Sequence, residues 1–194
     1  MQLTRHNRTM PRQNLLALLR KHRPSDAGEA EMLARTLGFV EGENRSLDAT
    51  LQTGHVTASA WVLGRDCSLP AVLLTHHRKL GRWFQLGGHL EAGETVLAGA
   101  LREAREESGL TGVRPLSEDV FDVDVHPIPE RSSAPAHDHY DIRFLLDGPM
   151  EEPLVASSES RALEWVRLDE AHRYNSSESI LRMVRKTLYG KTSG

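Results

Sequence analysis

The sequence predicts an α+β fold: an α/β/α sandwich with a mixed β-sheet flanked by helices, preceded by an N-terminal helical appendage. Three observations lead there. Residues 11–40 carry helical apolar spacing. From His55 the chain turns to β-like runs broken by polar turns. Strands and helices then mix without the regular β-α alternation of a doubly wound sheet. The 194 residues suffice for one such domain, expected over 55–190, with the appendage at 1–54 and a short tail at 191–194.

Taken in order, Pro11 suits a first helical turn, and Leu15, Leu16, Leu18 and Leu19 supply an apolar side. Pro24-Ser25-Asp26 interrupts it. A second helix is expected from Ala27 to Phe39, on Met32, Leu33 and Leu37, and Glu41–Arg45 reads as a loop. The pair carries no catalytic motif and reads as a cover for the core or for a partner subunit. His55–Leu63 and Ala71–Thr75 read as a strand hairpin, and Trp83–Leu86 as a short apolar run ending at Gly87-Gly88. A helix follows from Thr95 to Ser108. Further strands are expected at Asp119–Val125, His139–Leu146 and Leu163–Leu168, with a closing helix over Ser177–Leu188.

Composition narrows the function. Formal net charge is −3, which argues against a pervasively basic nucleic-acid surface. Small anionic substrates remain open, because metals and a few arginines can neutralise a diphosphate locally. The one cysteine, Cys67, sits in a polar turn without an activating neighbour and reads as an incidental thiol. The polar, basic start lacks the apolar run of a signal peptide, and no stretch has bilayer-spanning length. The expectation is a cytoplasmic protein.

The chemistry is concentrated in Gly88–Leu110. Thr95 can cap the helix, and Gly109 can end it in the left-handed conformation with Leu110 folding back. Leu97, Ala100, Leu101 and Ala104 recur at helical spacing and should face the core. Glu103, Glu106 and Glu107, at i, i+3 and i+4, fall on one side. Three carboxylates near a helix C-terminus repel one another and oppose the macrodipole. A hard cation such as Mg²⁺ or Mn²⁺ would reverse that penalty. A solvated acidic face, offset by Arg102 and Arg105, is the competing reading for the helix alone. The preceding loop shifts the balance: Gly87-Gly88 allows close backbone approach to a ligand, and Gly93 permits a second tight turn.

This segment resembles the signature of the Nudix hydrolase superfamily (MutT-like): a glycine, five residues, a glutamate, seven residues, then Arg-Glu-apolar-any-Glu-Glu-any-Gly-apolar. Gly88, Glu94, Arg102, Glu103, Glu106, Glu107 and Gly109 occupy every specified polar or glycine position, with Ala104 and Leu110 at the apolar ones. Leu86 stands where many relatives carry proline. The resemblance implies metal-dependent hydrolysis of a nucleoside diphosphate linked to another moiety. It implies Mg²⁺, with Mn²⁺ as an alternative, on Glu103, Glu106, Glu107 and the Gly88 carbonyl. Arg102 would orient the carboxylates, and Glu94 would support the loop or reach an outer-shell water. The base would come from Glu103 or from a later loop, where Glu159 is the candidate; a plain solvated residue is the equal alternative there.

Specificity is sought elsewhere. His126, His137 and His139 flank a polar loop and are candidates to line the pocket, contacting substrate or a metal, against the alternative of ordinary strand-end histidines. A closed structural zinc site is disfavoured for want of a cysteine cluster or a helical histidine pair. Arg78 and Arg82, with Lys79, form a basic loop that could attract phosphates, although an exposed solvated loop is the simpler reading for each. Trp83 or Phe84 could stack on a base, with a core role for at least one. Two functions compete with hydrolysis of a small nucleotide: an inactive nucleotide-binding or regulatory module, and removal of a 5′ diphosphate cap from RNA. The intact glutamates argue against the first and the acidic net charge against the second. Homodimerisation is compatible with the resemblance.

Overall fold

The computed structural model describes residues 10–65, 70–130 and 135–190; Cys67 and most of the basic N-terminal stretch lie outside them. Helices α1 (Met10–Lys21) and α2 (Ala27–Gly42) come first. Strands β1 (Gly54–Arg65), β2 (Pro70–His77), β3 (Arg82–Phe84) and β4 (Leu86–His89) lead to α3 (Val96–Ser108). Then follow β5 (Arg114–Pro115), β6 (Asp122–Ile128), β7 (His137–Asp147), β8 (Ser160–Arg167), α4 (Ala171–Tyr174) and α5 (Glu178–Tyr189). Hydrogen-bonded neighbours in the sheet run β3-β2-β1-β7-β5, with β4 on β1, β6 on β7 and β8 on β2. The expected α+β class with a mixed sheet is thus the observed one. Among the described residues, no helix is long and apolar enough to cross a membrane.

The chain divides into two compact units. The first takes its described residues from Met1–Ser59, Gly88–Ala100 and Glu118–Phe144. Here α1 packs on α2, and α2 on β6. Asp26 caps α2 by accepting from the Glu29 N–H at 2.8 Å, while the Glu29 carboxylate accepts from the Ser25 N–H at 2.6 Å. This reciprocal pair satisfies two N–H groups at the helix start. Fully buried Glu29 also meets His22 Nε2 at 2.8 Å, and His22 Nδ1 lies 3.0 Å from the Val120 carbonyl. A buried carboxylate is tolerable only with such partners. Leu15, Leu19, Val40, Val56, Val123 and Ile142 form the apolar core.

Strand β6 pairs antiparallel with β7 from Asp122↔Arg143 to Ile128↔His137. It therefore starts later than the Asp119–Val125 expectation and reaches past His126. Local β propensity does not reveal the reason: Asp119 is taken by an ion pair with Lys21 at 2.7 Å, and the ladder begins only at Asp122. Alternation along these strands creates a polar face. Asp122, Asp124 and His126 on β6 share it with His137, His139, Asp141 and Arg143 on β7, while Val123 and Val125 point the other way into the core. Buried Arg143 binds Asp141 (Nε–Oδ2, 2.8 Å), Asp122 (3.1 Å) and Asp124 (3.3 Å). Thr57 and Ser59 of β1 donate to Asp141 Oδ1 at 3.0 and 2.8 Å. Burial works to raise the Asp141 carboxyl, but the Arg143 guanidinium, His126 and the Ser59 hydroxyl together hold it below its ordinary range, and against burial Asp141, Asp124 and Asp122 hold Arg143 up.

The second unit takes its described residues from Ala60–Gly87, Leu101–Ser117 and Leu145–Gly194. Strand β2 pairs antiparallel with β1, β3 and β8. Trp61, Leu73, Leu74, Leu86, Leu110 and Met183 are among its fully buried side chains. The Trp61 indole N–H donates to Thr187 Oγ1 of α5 at 3.0 Å, which gives a buried tryptophan the partner it requires. The Trp83 ring meets those of His76, tilted at 5.1 Å between centroids, and Tyr174, edge-on at 5.3 Å.

Candidate active site

Helix α3 places the glutamates. It begins at Val96, with Thr95 Oγ1 accepting from the Ala98 N–H at 3.4 Å. It ends at Gly109, whose φ of +75° is the left-handed turn that side-chain-bearing residues rarely adopt. The buried stripe is Val96, Ala100 and Ala104, whereas Leu97 and Leu101 are only half-buried. The core line is rotated from the leucine pair because a small residue at Gly99 permits close packing. A Cβ there would lie 2.5 Å from Leu90 Cδ2 and 3.3 Å from the Ala58 Cβ.

That rotation separates the three carboxylates by environment. Glu107 is 8% exposed, whereas the Glu103 and Glu106 side chains are 15% and 58% exposed. Glu107 Oε2 accepts from the Gly87 N–H at 3.3 Å, tying the helix to the glycine pair. Arg102 Nη1 bridges its neighbours, reaching Glu103 Oε1 at 2.9 Å and Glu106 Oε2 at 3.0 Å. Burial, with the charges of Glu103 and Glu159 adding to it, pushes Glu107 up to about 8 against the pull of the Gly87 N–H. Glu103 is also raised, mainly by burial and despite Arg102, with Glu106 and Glu159 adding repulsion. The appearance of Glu159 in both balances means that a third element brings its carboxylate into this field.

The loop bearing Glu159 is fixed on two sides. Val155 and Ser157 N–H groups cap the last carbonyls of α3, donating to Ser108 at 2.7 Å and Glu107 at 3.4 Å. Arg78 Nε donates to the Ser158 carbonyl at 2.9 Å and Nη2 to the Ser160 carbonyl at 3.1 Å, while the Arg78 N–H donates to the Glu159 carbonyl at 2.8 Å. Arg78 therefore clamps the Glu159 loop. Arg82 is exposed on β3, with its guanidinium 5.6 Å from the Phe84 ring centroid. Leu86 is fully buried and serves packing. Glu94 accepts from the Glu91 N–H at 3.0 Å and so stiffens the turn before α3.

Five histidines gather in the first unit. His126 and His139 are direct cross-strand partners, and His137 stands two residues along the same face. His55 on β1 is 2% exposed, and its ring lies 4.7 Å from His139, 5.1 Å from His137 and 4.8 Å from His89. Burial pushes His139 down to about 3 and His55 to about 4, with the neighbouring imidazoles adding to the effect. Sequence reasoning missed His55 because it sits inside an apolar-looking strand. The signal was the spacing of His55, Thr57 and Ser59, three polar residues on one face of β1.

With this arrangement in hand, comparison with known proteins assigns a family. A model described as the NUDIX domain matches residues 53–186, and the chain belongs to the Nudix hydrolase family. Solved structures similar to it include a C. elegans Ap4A hydrolase binary complex, with a TM-score of 0.57 at 18% identity, covering 68% of this chain and 93% of that one. A NUDIX-family hydrolase from Clostridium perfringens has a TM-score of 0.52 at 26% identity, over 68% of this chain and 94% of that one. The E. coli dihydroneopterin triphosphate pyrophosphohydrolase has a TM-score of 0.50 at 21% identity, over 68% and 92%. A search of curated proteins gave no match.

Proposed function

We propose that this chain is a divalent-metal-dependent hydrolase that cleaves a phosphoanhydride bond in a nucleoside diphosphate linked to another moiety. The observation that carries this reading is the shared field of Glu103, Glu107 and Glu159, in which a buried Glu107 is pushed up to about 8. Carboxylates so arranged repel each other unless one holds a proton or a cation lies among them. The donor set is all oxygen, which fits Mg²⁺ or Mn²⁺. Glu103, Glu106, Glu107 and the carbonyl of Gly88, the residue after Gly87, would hold the cation, which supplies charge neutralisation at the phosphates and a more acidic water.

The chain's own groups supply orientation and proton transfer. Arg102 holds Glu103 and Glu106 at fixed angles through charge-assisted bonds. Glu103, or Glu159 on its clamped loop, takes the proton as the water oxygen bonds to phosphorus and the anhydride P–O bond breaks, leaving two phosphate-bearing products. Arg78 acts here by holding the Glu159 loop, and exposed Arg82 is a candidate phosphate contact. His126, His137 and His139 are candidates for contacting the substrate. Residues 55–190 would constitute the hydrolase domain and 1–54 its appendage. Relatives with the same fold act on an Ap4A or a dihydroneopterin triphosphate, so the fold leaves the substrate open.

The test is product release from a panel of nucleoside triphosphates, dinucleoside polyphosphates and nucleotide sugars with Mg²⁺ or Mn²⁺. Turnover abolished by EDTA and lowered at least about 100-fold in Glu103→Gln supports the reading. No turnover across the panel, together with no Mg²⁺ or Mn²⁺ binding, removes it. Comparing Glu159→Gln with Glu103→Gln identifies the base by which variant flattens the pH–rate profile.

A further inference from the structure

We propose that His55, His137 and His139 form a second metal site, selective for a borderline transition-metal dication such as Zn²⁺ and built without any carboxylate of α3. One ring nitrogen from each of the three can be chosen so that all lie within 4.8 Å of one another. His137 and His139 stand on one face of β7, and His55 reaches them from the neighbouring strand β1. Gly54 permits the approach: its φ is +140°, and a Cβ there would lie 2.7 Å from the Asp138 carbonyl oxygen, between the two β7 histidines. A glycine placed where only glycine fits, beside three convergent imidazoles, joins backbone geometry to side-chain chemistry.

Hydrogen bonding decides which nitrogens are available. His137 Nδ1 is 2.8 Å from the Pro135 carbonyl, which can only accept. Nδ1 therefore carries the proton, and Nε2 presents its lone pair. His55 repeats the pattern with a longer contact, Nδ1 to the Leu51 carbonyl at 3.5 Å. Its Nε2 is buried and has no hydrogen-bond partner among the described residues. Leaving a buried polar atom unpaired is destabilising. His139 Nε2, 3.3 Å from His137 Nε2, can donate one proton to one neighbour. With its proton on Nδ1 instead, His139 also presents an Nε2 lone pair, and a cation satisfies all three at once.

The His137–His139 spacing fits such a cation. Zn–N bonds of about 2.0–2.1 Å at tetrahedral angles separate two ligand nitrogens by about 3.3 Å, which is the His137–His139 Nε2 distance. The backbone carbonyls on the far nitrogens are the outer partners that metal-binding histidines commonly use to fix ring and tautomer. An all-imidazole set favours Zn²⁺, Cu²⁺, Ni²⁺ or Fe²⁺ over Mg²⁺ or Ca²⁺. Three protein ligands leave a position open for water or a substrate oxygen. His126, whose ring lies 5.6 Å from that of His139 across the strand pair, is the nearest reserve on β6. This open site differs from the closed structural zinc site that the sequence disfavours.

The experiment is a Zn²⁺ titration of the metal-stripped full chain against a chromogenic chelator. Three proteins are compared: the parent, His137→Ala/His139→Ala, and Glu103→Gln/Glu106→Gln/Glu107→Gln. The expected result is one tight equivalent in the parent, binding at least about 100-fold weaker in the histidine variant, and near-parental binding in the glutamine variant. Absence of tight binding in the parent overturns the proposal. So does binding that disappears with the glutamates and survives loss of the histidines. X-ray absorption on the Zn²⁺-loaded parent needs no variant to fold: three imidazole ligands support the site, and an oxygen-only shell refutes it. None of these readouts depends on hydrolysis, so the site and the proposed activity succeed or fail separately.

Discussion

Glu107→Gln should make the metal-free protein more stable in alkaline solution while removing a proposed metal ligand. In the folded chain, burial and the charges of Glu103 and Glu159 lift this carboxyl from its ordinary 4.5 to about 8. The native state therefore binds the proton more tightly than the unfolded chain does. The stability that this group contributes is fully present below pH 4.5 and is lost as pH rises through about 8. At 1.36 kcal/mol per tenfold change in proton affinity, the loss reaches about 5 kcal/mol at most. Glutamine has the same size and no charge, and its amide oxygen can still accept from the Gly87 N–H. The assay is urea unfolding followed by circular dichroism in EDTA at pH 5.5, 7 and 8.5, repeated with excess Mg²⁺. Parent and variant should be close at the lowest pH, and the variant should lead by several kcal/mol at the highest. Mg²⁺ should close that gap by stabilising only the parent. A parent whose metal-free stability relative to the variant does not change between pH 5.5 and 8.5 would refute the claim that Glu107 is held in an unfavourable field.

Two further outcomes test the framework around the sites. Arg143→Met leaves Asp141 and Asp122 buried without their guanidinium and should cost about 3–5 kcal/mol in urea melts; a loss under 1 kcal/mol would mean that the polar face rearranges freely. Gly109→Ala forces a side chain into φ +75° with its Cβ 2.7 Å from that of Val155, and should destabilise by about 1–3 kcal/mol. Unchanged stability there would show that the Val155 loop yields.

Much of the fold was legible because local rules and tertiary structure agree. Helix α3, bounded by Thr95 and Gly109, matches its expected span to within a residue, since capping is a property of neighbouring residues. The α2 span from Ala27 is bounded at its start by Asp26 for the same reason, although it runs on to Gly42. Strand β6 was displaced because its limits depend on pairing with β7, and Trp83–Leu86 divides into two strands because β3 follows β2 whereas β4 pairs with β1. The short β5 and α4 carry too few residues for periodicity to register.

The sequence by itself determined the carboxylate set and the helix that bears it, because residue type and i, i+3, i+4 spacing lie within four turns of a single element. It could not assign different environments to Glu103, Glu106 and Glu107, since burial depends on what covers the helix. Nor could it supply the clamp of Arg78 on the Glu159 loop, made between residues about eighty positions apart. The histidine cluster is divided between the two kinds: His126, His137 and His139 were candidates from their spacing, whereas His55 joins them only through the tertiary structure. His55 and His139 are remote in the chain, and only the pairing of strands and the glycine beside them bring their rings within 4.7 Å.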